Sequence, residues 1–385
     1  MKKNEMKGFA ITHRGAEEIC TEEIAELLGI KNSEIEILKT FIIFPIKTYE
    51  DLFLLCYKAQ SAINISLYLD NFIYNTEEEI LSRIQHTGLQ HTGLELFKKI
   101  KTFKVEAIKI GSCNIRSQEL EKNAGEEILK KLEAGVSLTN PDITFLIHLF
   151  ENNCLLGIDF TGFDLSKRDY KIFANKEAVK GTIAYTALRF ADYMKEDYLL
   201  DVFLGDGVIP IEAAFYATNF PVNHFRKDKF AFLKLFKEYD FEGFFKKIDS
   251  QADLSKAKIK GVSHLLKDVK AAQKNAKIGG IIKAVDLTKI SVDWLDIKLK
   301  EGEIDKIVSL IPHSENPEKL MNELFYQTEF ILSKKGTIIL ISRVEKNKKI
   351  IEDSAEKHGF KIEKEKEIWM GMQNLFLLKF MRKNR

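Results

Sequence analysis

The spacing of apolar side chains in the first 165 residues changes repeatedly between a helical period and a strand period. Residues 15–29 carry Ile19, Ile24 and Leu27 at helical spacing and end at Gly29, a residue typical of helix C-termini. The same patterns predict strands over 34–46, 62–69, 103–110, 142–149 and 154–160, and helices over 49–59, 77–85, 89–100 and 117–132. We therefore expect two small α+β units, over residues 1–70 and 71–165, with sheet and helices in layers.

From residue 181 onward, short apolar strands alternate with amphipathic helices. The predicted strands lie over 198–203, 258–262, 281–284, 306–311, 336–342 and 375–380, and the predicted helices over 209–218, 265–277, 318–332 and 347–358. Such alternation is typical of an α/β fold with a doubly wound, mainly parallel sheet. Residues 166–180 are predicted to be the linker between this sheet at 181–385 and the N-terminal units.

Composition and charge exclude little beyond disorder. The 385 residues are enough for two or three domains, and a content of 45% hydrophobic and 30% charged residues is typical of a globular protein. Residues 1–165 hold 18 basic and 25 acidic side chains, whereas residues 166–385 hold 41 and 32. The basic second half permits a polyanionic partner, although lysine-rich helix faces are more often plain solvated surface.

The distribution of metal-binding and apolar residues points to a reducing, cytoplasmic setting. Four widely spaced cysteines without a C-x-x-C pair argue against a disulfide framework and against a zinc site. We interpret the repeated pentapeptide within 86–94 as a helix boundary rather than a two-histidine metal site, because no further ligand is suitably spaced. No window approaches the roughly 18 uninterrupted apolar residues of a membrane span, so no membrane partner is expected.

The segment most informative about chemistry follows the first strand of the C-terminal half. Asp201 lies near the end of that strand, and Gly205 and Gly207 form a G-x-G turn that leads into a helix. Glycines let the backbone approach a nucleotide-like ligand, and a helix start offers free N–H groups to it. A tight strand–helix turn without any ligand explains the glycines equally well.

The run LLDVFLGDGVIPIEAA, residues 199–214, resembles the first motif of class I S-adenosylmethionine-dependent methyltransferases, in the D-P-F-C-G-S-G-T-I-P-I-E-A-A form of RNA methyltransferases that carry a THUMP domain. The resemblance continues through 163–170 and 180–185, and residues 103–162 resemble the THUMP domain itself. It implies a ferredoxin-like N-terminal unit, a THUMP RNA-binding domain and a Rossmann-like methyltransferase domain. The chain is most similar to tRNA guanine-N2-methyltransferases of archaeal type and to their bacterial ribosomal-RNA relatives.

This resemblance implies that S-adenosylmethionine, if bound, contacts Thr182, Asp201, Gly205, Gly207, Ser263 and Asp286. Five positions depart from the family: Val202, Leu204, Asp206 and Val208 in the first motif, and Ser263 at the end of the second strand. Asp206 places a carboxylate where a small neutral hydroxyl residue is usual, and Ser263 replaces the acid that binds the ribose hydroxyls, which weakens that contact. Asp286 matches the acid that receives the adenine amino group, with a surface aspartate that opens a loop as the equal alternative.

The catalytic motif departs further. The family has N-P-P-Y or N-L-P-F after its fourth strand, where the Asn accepts hydrogen bonds from the guanine amine and the aromatic ring stacks on the base. Here Leu310 replaces the Asn, His313 replaces the aromatic residue, and only Pro312 is retained. Loss of such an acceptor typically costs about 10²–10³ in rate. We therefore expect methyl transfer to be lost or strongly reduced.

Basic residues in the THUMP-like region and the linker are the expected contacts to tRNA or another structured RNA: Lys98, Lys99, Lys101, Lys104, Arg116, Lys167 and Arg168. Residues 219–248 also mix lysines with aromatic rings, a composition found in grooves for unpaired bases. The spacing of Phe232, Leu235 and Phe236 equally suits a helix packed on the sheet, and we favour packing for the rings.

Three functions remain compatible with the sequence. The first is an RNA-binding protein of the THUMP methyltransferase family with lost or strongly reduced guanine-N2 methylation. The second is an active tRNA (guanine-N2-)-methyltransferase with an atypical catalytic motif. The third is a regulatory scaffold for a protein partner. Fold alone does not choose among them.

Overall fold

The computed structural model describes residues 6–86, 100–111, 113–175 and 178–383. Its N-terminal strands are β1 (Lys7–Ile11), β2 (Glu36–Leu38), β3 (Phe41–Pro45), β4 (Asn64–Ile73), β5 (Thr102–Ile110), β6 (Gly135–Val136), β7 (Ile143–Phe150) and β8 (Asn153–Asp159). The accompanying helices are α1 (Glu17–Leu28), α2 (Tyr49–Lys58), α3 (Glu77–His86) and α4 (Ser117–Leu129). The predicted helix over 89–100 and most of the repeated pentapeptide lie outside the described residues.

The N-terminal strands form one continuous sheet in the order β2-β3-β1-β4-β8-β7-β5-β6. Strand β4 is the joint, because it pairs antiparallel with β1 on one side and with β8 on the other. Residue 70, the predicted boundary between the two units, lies inside this strand. The ferredoxin-like and THUMP-like units share a sheet and a hydrophobic core.

The C-terminal strands are β9 (Tyr198–Asp201), β10 (Lys258–Ser263), β11 (Asp286–Lys289), β12 (Ile304–Leu310), β13 (Leu332–Ser342), β14 (Phe360–Met370) and β15 (Gln373–Arg382). The helices are α5 (Gly181–Phe190), α6 (Val208–Thr218), α7 (Phe232–Leu235), α8 (Phe241–Asp249), α9 (Leu266–Ile278), α10 (Leu295–Lys298), α11 (Pro317–Ile331) and α12 (Lys348–Lys357). The sheet order is β11-β10-β9-β12-β13-β15-β14, and its strands run in the same direction except for β15, which is antiparallel to its neighbours β13 and β14. The predicted Rossmann-like fold is confirmed.

None of the helices in the described part has the length and apolar character needed to span a bilayer.

The strand predicted over 281–284 is wrong. Residues Ile282–Ala284 form a 3₁₀ turn, and the strand β11 begins only at Asp286. Ile281 and Ala284 are the buried members of this run, and a separation of three residues places both on one side of a 3₁₀ turn. The apolar run therefore reflects a tight turn over the core. The strand lies further along the chain than predicted, so Asp286 is its first residue and does not follow its end.

From Phe230 onward, the aromatic segment over 219–248 packs on the N-terminal part, whereas Phe220 at its start contacts Phe215 of α6. The ring of Phe232 stacks on Phe53 of α2 at a centroid distance of 4.5 Å, and Phe245 lies 4.7 Å from Tyr57 of the same helix. Phe230, Phe232 and Phe245 belong to the same buried cluster as the N-terminal core. An insertion between β9 and β10 thus completes the core of the preceding domain.

Replacing Phe232 with Ala is expected to lower the free energy of unfolding by about 3–5 kcal/mol, because it leaves a cavity among packed rings. Urea-induced unfolding followed by circular dichroism measures this change. Phe225→Ala is the matched control, since Phe225 lies in the same segment but is 58% exposed. Equal, small effects of the two substitutions would show that the insertion is not part of the N-terminal core.

Candidate functional site

The two glycines of the G-x-G turn serve different purposes. Gly205 and Gly207 both adopt positive φ angles, of 51° and 81°, which favour glycine. A Cβ atom on Gly207 would lie 2.6 Å from the Cβ of Ala272 in α9, so this glycine permits close packing of the turn on a helix. A Cβ atom on Gly205 would meet nothing closer than 3.8 Å. Gly205 instead leaves the backbone open toward a cavity.

That cavity, of about 620 Å³, lies at the carboxyl ends of β9, β10 and β12. Ligands of doubly wound folds bind at this edge of the sheet. The predicted site residues that line it are Asp201, Gly205, Ser263, Leu310, Pro312 and His313. The fold therefore brings the G-x-G turn, the end of β10 and the degenerate catalytic segment to one place.

Asp201 is a buried carboxyl group at the floor of the cavity. Its Oδ1 accepts a hydrogen bond from the Ser309 hydroxyl in the neighbouring strand β12 at 2.7 Å and one from the Phe203 N–H at 3.2 Å. Burial raises the pKa of Asp201 from its ordinary value near 3.8 to about 7, against the lowering effect of the Ser309 hydrogen bond. The group is therefore half-protonated near neutral pH.

Asp206 is buried beside a lysine that offsets its charge. Its Oδ2 lies 3.4 Å from Lys171 Nζ, and its Oδ1 accepts from the Val208 N–H at 3.3 Å. Burial raises the pKa of Asp206 and lowers that of Lys171, while the two opposite charges favour each other's ionised form. The ammonium group of Lys171 is thus the counter-ion of Asp206, the carboxylate that departs from the family motif.

Ser263 is the last residue of β10 and is hydrogen-bonded to Asp268, an acid that the motif did not predict. The Ser263 hydroxyl donates to Asp268 Oδ2 at 3.0 Å and accepts from the Leu265 N–H at 3.1 Å. Asp268 lies in the first turn of α9 and lines the same cavity. The sequence signal was an aspartate near the start of the helix after β10.

Three predicted cofactor contacts lie outside the cavity lining: Gly207, which packs on α9, and Thr182 and Asp286. Thr182 is fully buried in α5, and its hydroxyl is 2.9 Å from His13 Nε2. Asp286 opens β11 instead of ending a strand, is exposed, and pairs with Lys260 of the neighbouring strand. The displaced strand prediction explains the discrepancy at Asp286. Asp293, seven positions further along, is the acid that lines the cavity on this side.

The segment that the sequence predicts to be catalytic begins where β12 ends. Leu310 is the last residue of β12 and pairs with Ile341 of β13. Pro312 lacks an N–H group and cannot continue the ladder, so the chain leaves the sheet there. His313 follows as an exposed residue of the cavity wall. The side chain at the strand end is therefore apolar, and the first aromatic ring that follows it in the sequence is the imidazole of His313.

The predicted RNA contacts differ in accessibility. Lys101, Arg116 and Lys167 are exposed, whereas Lys98 and Lys99 lie outside the described residues. Lys104 is half-buried and pairs with Glu106. Within the described part of the chain, no group of three or more His, Cys, Asp or Glu side chains is arranged to hold a metal ion.

Arg168 is not a surface residue. Its side chain is 1% exposed, and its Nε donates to Glu212 Oε1 of α6 at 2.8 Å. The same guanidinium donates to the carbonyl oxygens of Leu165 and Gln60, each at 2.7 Å. Contact with RNA would require this buried ion pair to open, so the structure assigns Arg168 to packing.

A Rossmann-like sheet with a glycine-lined cavity at its carboxyl edge defines a class I methyltransferase fold. A family model described as "RMKL-like, methyltransferase domain" matches residues 168–375, and a THUMP domain model matches residues 87–159. The first match covers more than half of the chain. The chain therefore belongs to the RMKL-like methyltransferase family and carries a THUMP domain, as the sequence predicted.

Curated relatives include RNA methyltransferases from archaea and bacteria. The tRNA (guanine(6)-N2)-methyltransferase of Methanocaldococcus jannaschii is 26% identical over 333 residues, 82% of this chain and 84% of that protein. The Archaeoglobus fulgidus protein of the same name is 26% identical over 225 residues, 56% of this chain and 53% of that protein. Ribosomal RNA large subunit methyltransferase K/L of Buchnera aphidicola is 26% identical, covering 83% of this chain and 45% of that protein.

Solved structures share the whole architecture. TrmN from Thermus thermophilus superimposes with a TM-score of 0.72 at 19% identity, covering 98% of this chain and 99% of that chain. The SMU.472 protein in complex with SAH superimposes with a TM-score of 0.79 at 20% identity, covering 100% and 99%. At these identities the likeness shows the fold.

Asp201→Asn is expected to change how stability depends on pH. The folded protein keeps the Asp201 proton up to about pH 7, whereas the unfolded chain loses it near pH 4, so the stabilising contribution is full below pH 4 and is lost as the pH rises through 7. Asn cannot ionise and retains an oxygen acceptor for Ser309. The free energy of unfolding of the variant should therefore rise relative to wild type by up to about 1.4 kcal/mol per pH unit across this window.

Urea unfolding at pH 5, 6, 7 and 8 measures this difference. Asp353→Asn, at an exposed position of α12, is the matched control for the loss of a carboxyl group. A constant difference for Asp201→Asn would contradict the raised pKa.

Proposed function

We propose that the chain is an S-adenosylmethionine-dependent methyltransferase that modifies the exocyclic N2 of a guanine in tRNA, with an atypical catalytic segment. The observation that carries the proposal is the cavity lined by the G-x-G turn, the Ser263–Asp268 pair and the segment from Leu310 to His313. The names of the archaeal relatives support tRNA and guanine N2 as the substrate and position. The THUMP domain supports an RNA substrate.

The cavity lining suits the chemistry of S-adenosylmethionine. The carboxylates of Asp268 and Asp293 are acceptors for hydroxyl and amino groups and complement a cationic sulfonium, and the carboxyl group of Asp201 adds a further polar group. The backbone at Gly205 has room for a ligand where a larger residue would have a side chain. The charge of Asp206, which stands where a small neutral hydroxyl residue is usual, is offset by Lys171. We infer that the departures in the first motif are compatible with cofactor binding.

S-adenosylmethionine would supply an electrophilic methyl group to the guanine amine. The chain's own task is to hold that amine in line with it and to accept its hydrogen bonds. Leu310 cannot accept, so the main-chain carbonyl groups of 310–312 and the imidazole of His313 are the groups of this segment that can. The His313 ring also offers a flat face on which a flipped base can stack.

A second candidate is an RNA-binding protein whose methyl transfer is lost or strongly reduced. The observation that favours it is the apolar Leu310 at the end of β12, where an amide acceptor is expected. Main-chain carbonyl groups alone direct the amine less well than a carbonyl and a side-chain amide together. The two candidates differ in turnover rather than in cofactor or RNA binding.

Incubation of the wild-type protein with unmodified tRNA and S-adenosylmethionine is expected to produce N2-methylguanosine over multiple turnovers, measured by nucleoside analysis of the digested RNA. His313→Ala should lower the rate by about 10²-fold, because it removes both an acceptor and a stacking surface from the segment. His358→Ala, at the end of α12, is the matched control and should retain the wild-type rate.

Absence of N2-methylguanosine, with tRNA and S-adenosylhomocysteine still bound, would contradict the first candidate and support the second. In that case Leu310→Asn tests the cause, because it restores an amide acceptor at the strand end. Gain of methylation in that variant would assign the loss to residue 310.

RNA binding is expected to depend on the exposed basic residues. A triple variant that replaces Lys101, Arg116 and Lys167 with Ala should weaken tRNA binding and reduce the slope of log K against log salt by up to about 1 for each phosphate that the variant no longer neutralises. Gel-shift titrations of tRNA at several salt concentrations measure the slope. A control triple variant removes exposed lysines near the C-terminus: Lys357, Lys361 and Lys364. Equal slopes for the two variants would place the RNA elsewhere.

A further inference from the structure

We propose that Asp268 is the carboxylate that holds the vicinal hydroxyl groups of the cofactor's ribose, in a position five residues beyond the end of the strand. The proposal rests on the cofactor assigned under the proposed function. Asp268 belongs to helix α9, whereas the side chain at the end of β10 is the neutral Ser263. The serine and the aspartate act as a pair in which the serine orients the acid.

The geometry of this pair supports a ligand-binding role. Ser263 is buried, and its hydroxyl is fixed by the Leu265 N–H at 3.1 Å, so its proton is directed to Asp268 Oδ2 at 3.0 Å. Among the described residues Ser263 is the hydrogen-bond partner of this carboxylate, which leaves Oδ1 for a ligand. Asp268 is half-buried, and both residues line the cavity that also contains Gly205.

An aspartate in the first turn of a helix also has an ordinary structural explanation. A negative charge there is stabilised by the helix macrodipole, by about 0.3–1 kcal/mol at an exposed site. That role requires no partner in the preceding strand and no position on a cavity. Its neighbours Lys267 and Lys270 are exposed, whereas Asp268 is turned toward Ser263. The hydrogen bond to a buried hydroxyl distinguishes it from a simple helix-start acid.

The chemistry fits a vicinal diol. An ionised carboxylate accepts hydrogen bonds at both oxygens, and such charge-assisted bonds are stronger than those to a neutral serine. Ser263 alone would offer one neutral oxygen, and the Leu265 N–H already occupies one of its two lone pairs. With Asp268 in place, the charge missing at the end of β10 is supplied from the helix that follows it.

Calorimetric titration of the full chain with S-adenosylhomocysteine tests the proposal without methyl transfer. Asp268→Asn should raise the dissociation constant by about 10- to 100-fold, the range for hydrogen bonds to a charged group. The double variant Ser263→Asp with Asp268→Ser moves the acid to the strand end and should recover most of the affinity. Asp353→Asn on α12 has the same change of charge and should bind as wild type.

A second titration separates recognition of the ribose from a change in the helix. Wild-type protein should bind adenosine about tenfold more tightly than 2′,3′-dideoxyadenosine, because only adenosine carries the diol. Asp268→Asn should reduce this preference severalfold while binding of the dideoxy compound stays the same. Equal weakening of both nucleosides would overturn the proposal, since it would indicate a structural role for Asp268.

The remaining outcomes distinguish a failure of the proposed function from a failure of the inference about Asp268. If the wild-type protein binds S-adenosylhomocysteine and the Asp268 variants behave as expected, but no N2-methylguanosine forms, the proposed function fails and this inference stands. If methylation proceeds and Asp268→Asn binds S-adenosylhomocysteine as wild type does, this inference alone is overturned. Absence of any binding to wild type at millimolar S-adenosylhomocysteine overturns both.

Discussion

The buried ion pair between Arg168 and Glu212 is the interaction on which the arrangement of the whole chain depends. Two charged side chains with 1% and 0% exposure are stable only when their hydrogen bonds are satisfied. Tyr170 and Gln60 donate to the Glu212 carboxylate, each at 2.8 Å, and the carbonyl of Leu165 accepts from Arg168. Because Gln60 belongs to the N-terminal sheet domain and Glu212 to α6, the ion pair and its hydrogen bonds join the N-terminal part to the methyltransferase domain.

The same ion pair orients the cofactor edge of the sheet. Glu212 lies on α6, the helix that begins directly after the G-x-G turn, so a displacement of this helix would move the turn. Close packing leaves no room for a side chain at Gly181, where a Cβ atom would lie 2.3 Å from Glu212 Oε1. Within residues 166–180, which the sequence predicts to be the linker, Arg168 and Tyr170 are buried and form part of this contact. The buried rings of Phe230, Phe232 and Phe245 reinforce this attachment from the other direction.

The sequence predicted those features that depend on local periodicity and on glycine. The strand–turn–helix around Gly205 and the alternation of strands and helices were predictable because each is encoded within about twenty residues. Features that depend on register or on distant partners were not. The position of β11 was misjudged by a few residues, which misplaced Asp286, and the core partners of Phe232 lie in a helix that precedes it by many residues. The acid at Asp268 was visible in the sequence, but only the folded helix shows that Ser263 holds it.

The departures from the family motifs differ in whether the structure compensates for them. The carboxylate of Asp206 pairs with the ammonium group of Lys171, and the neutral Ser263 donates a hydrogen bond to the carboxylate of Asp268. Burial of an ionised group without a partner is costly, so directing Asp268 into the cavity brings no stability by itself. Paired changes of this kind are expected where a cavity still binds a charged, hydroxyl-rich ligand.

Leu310 is not compensated in this way among the described residues, since Pro312 and His313 follow it away from the sheet. An apolar side chain at the strand end can neither accept a proton from the guanine amine nor fix its direction. Cofactor binding and methyl transfer are therefore separable properties of this site. The first rests on two compensated substitutions, and the second on how well main-chain carbonyl groups and one imidazole replace a single amide.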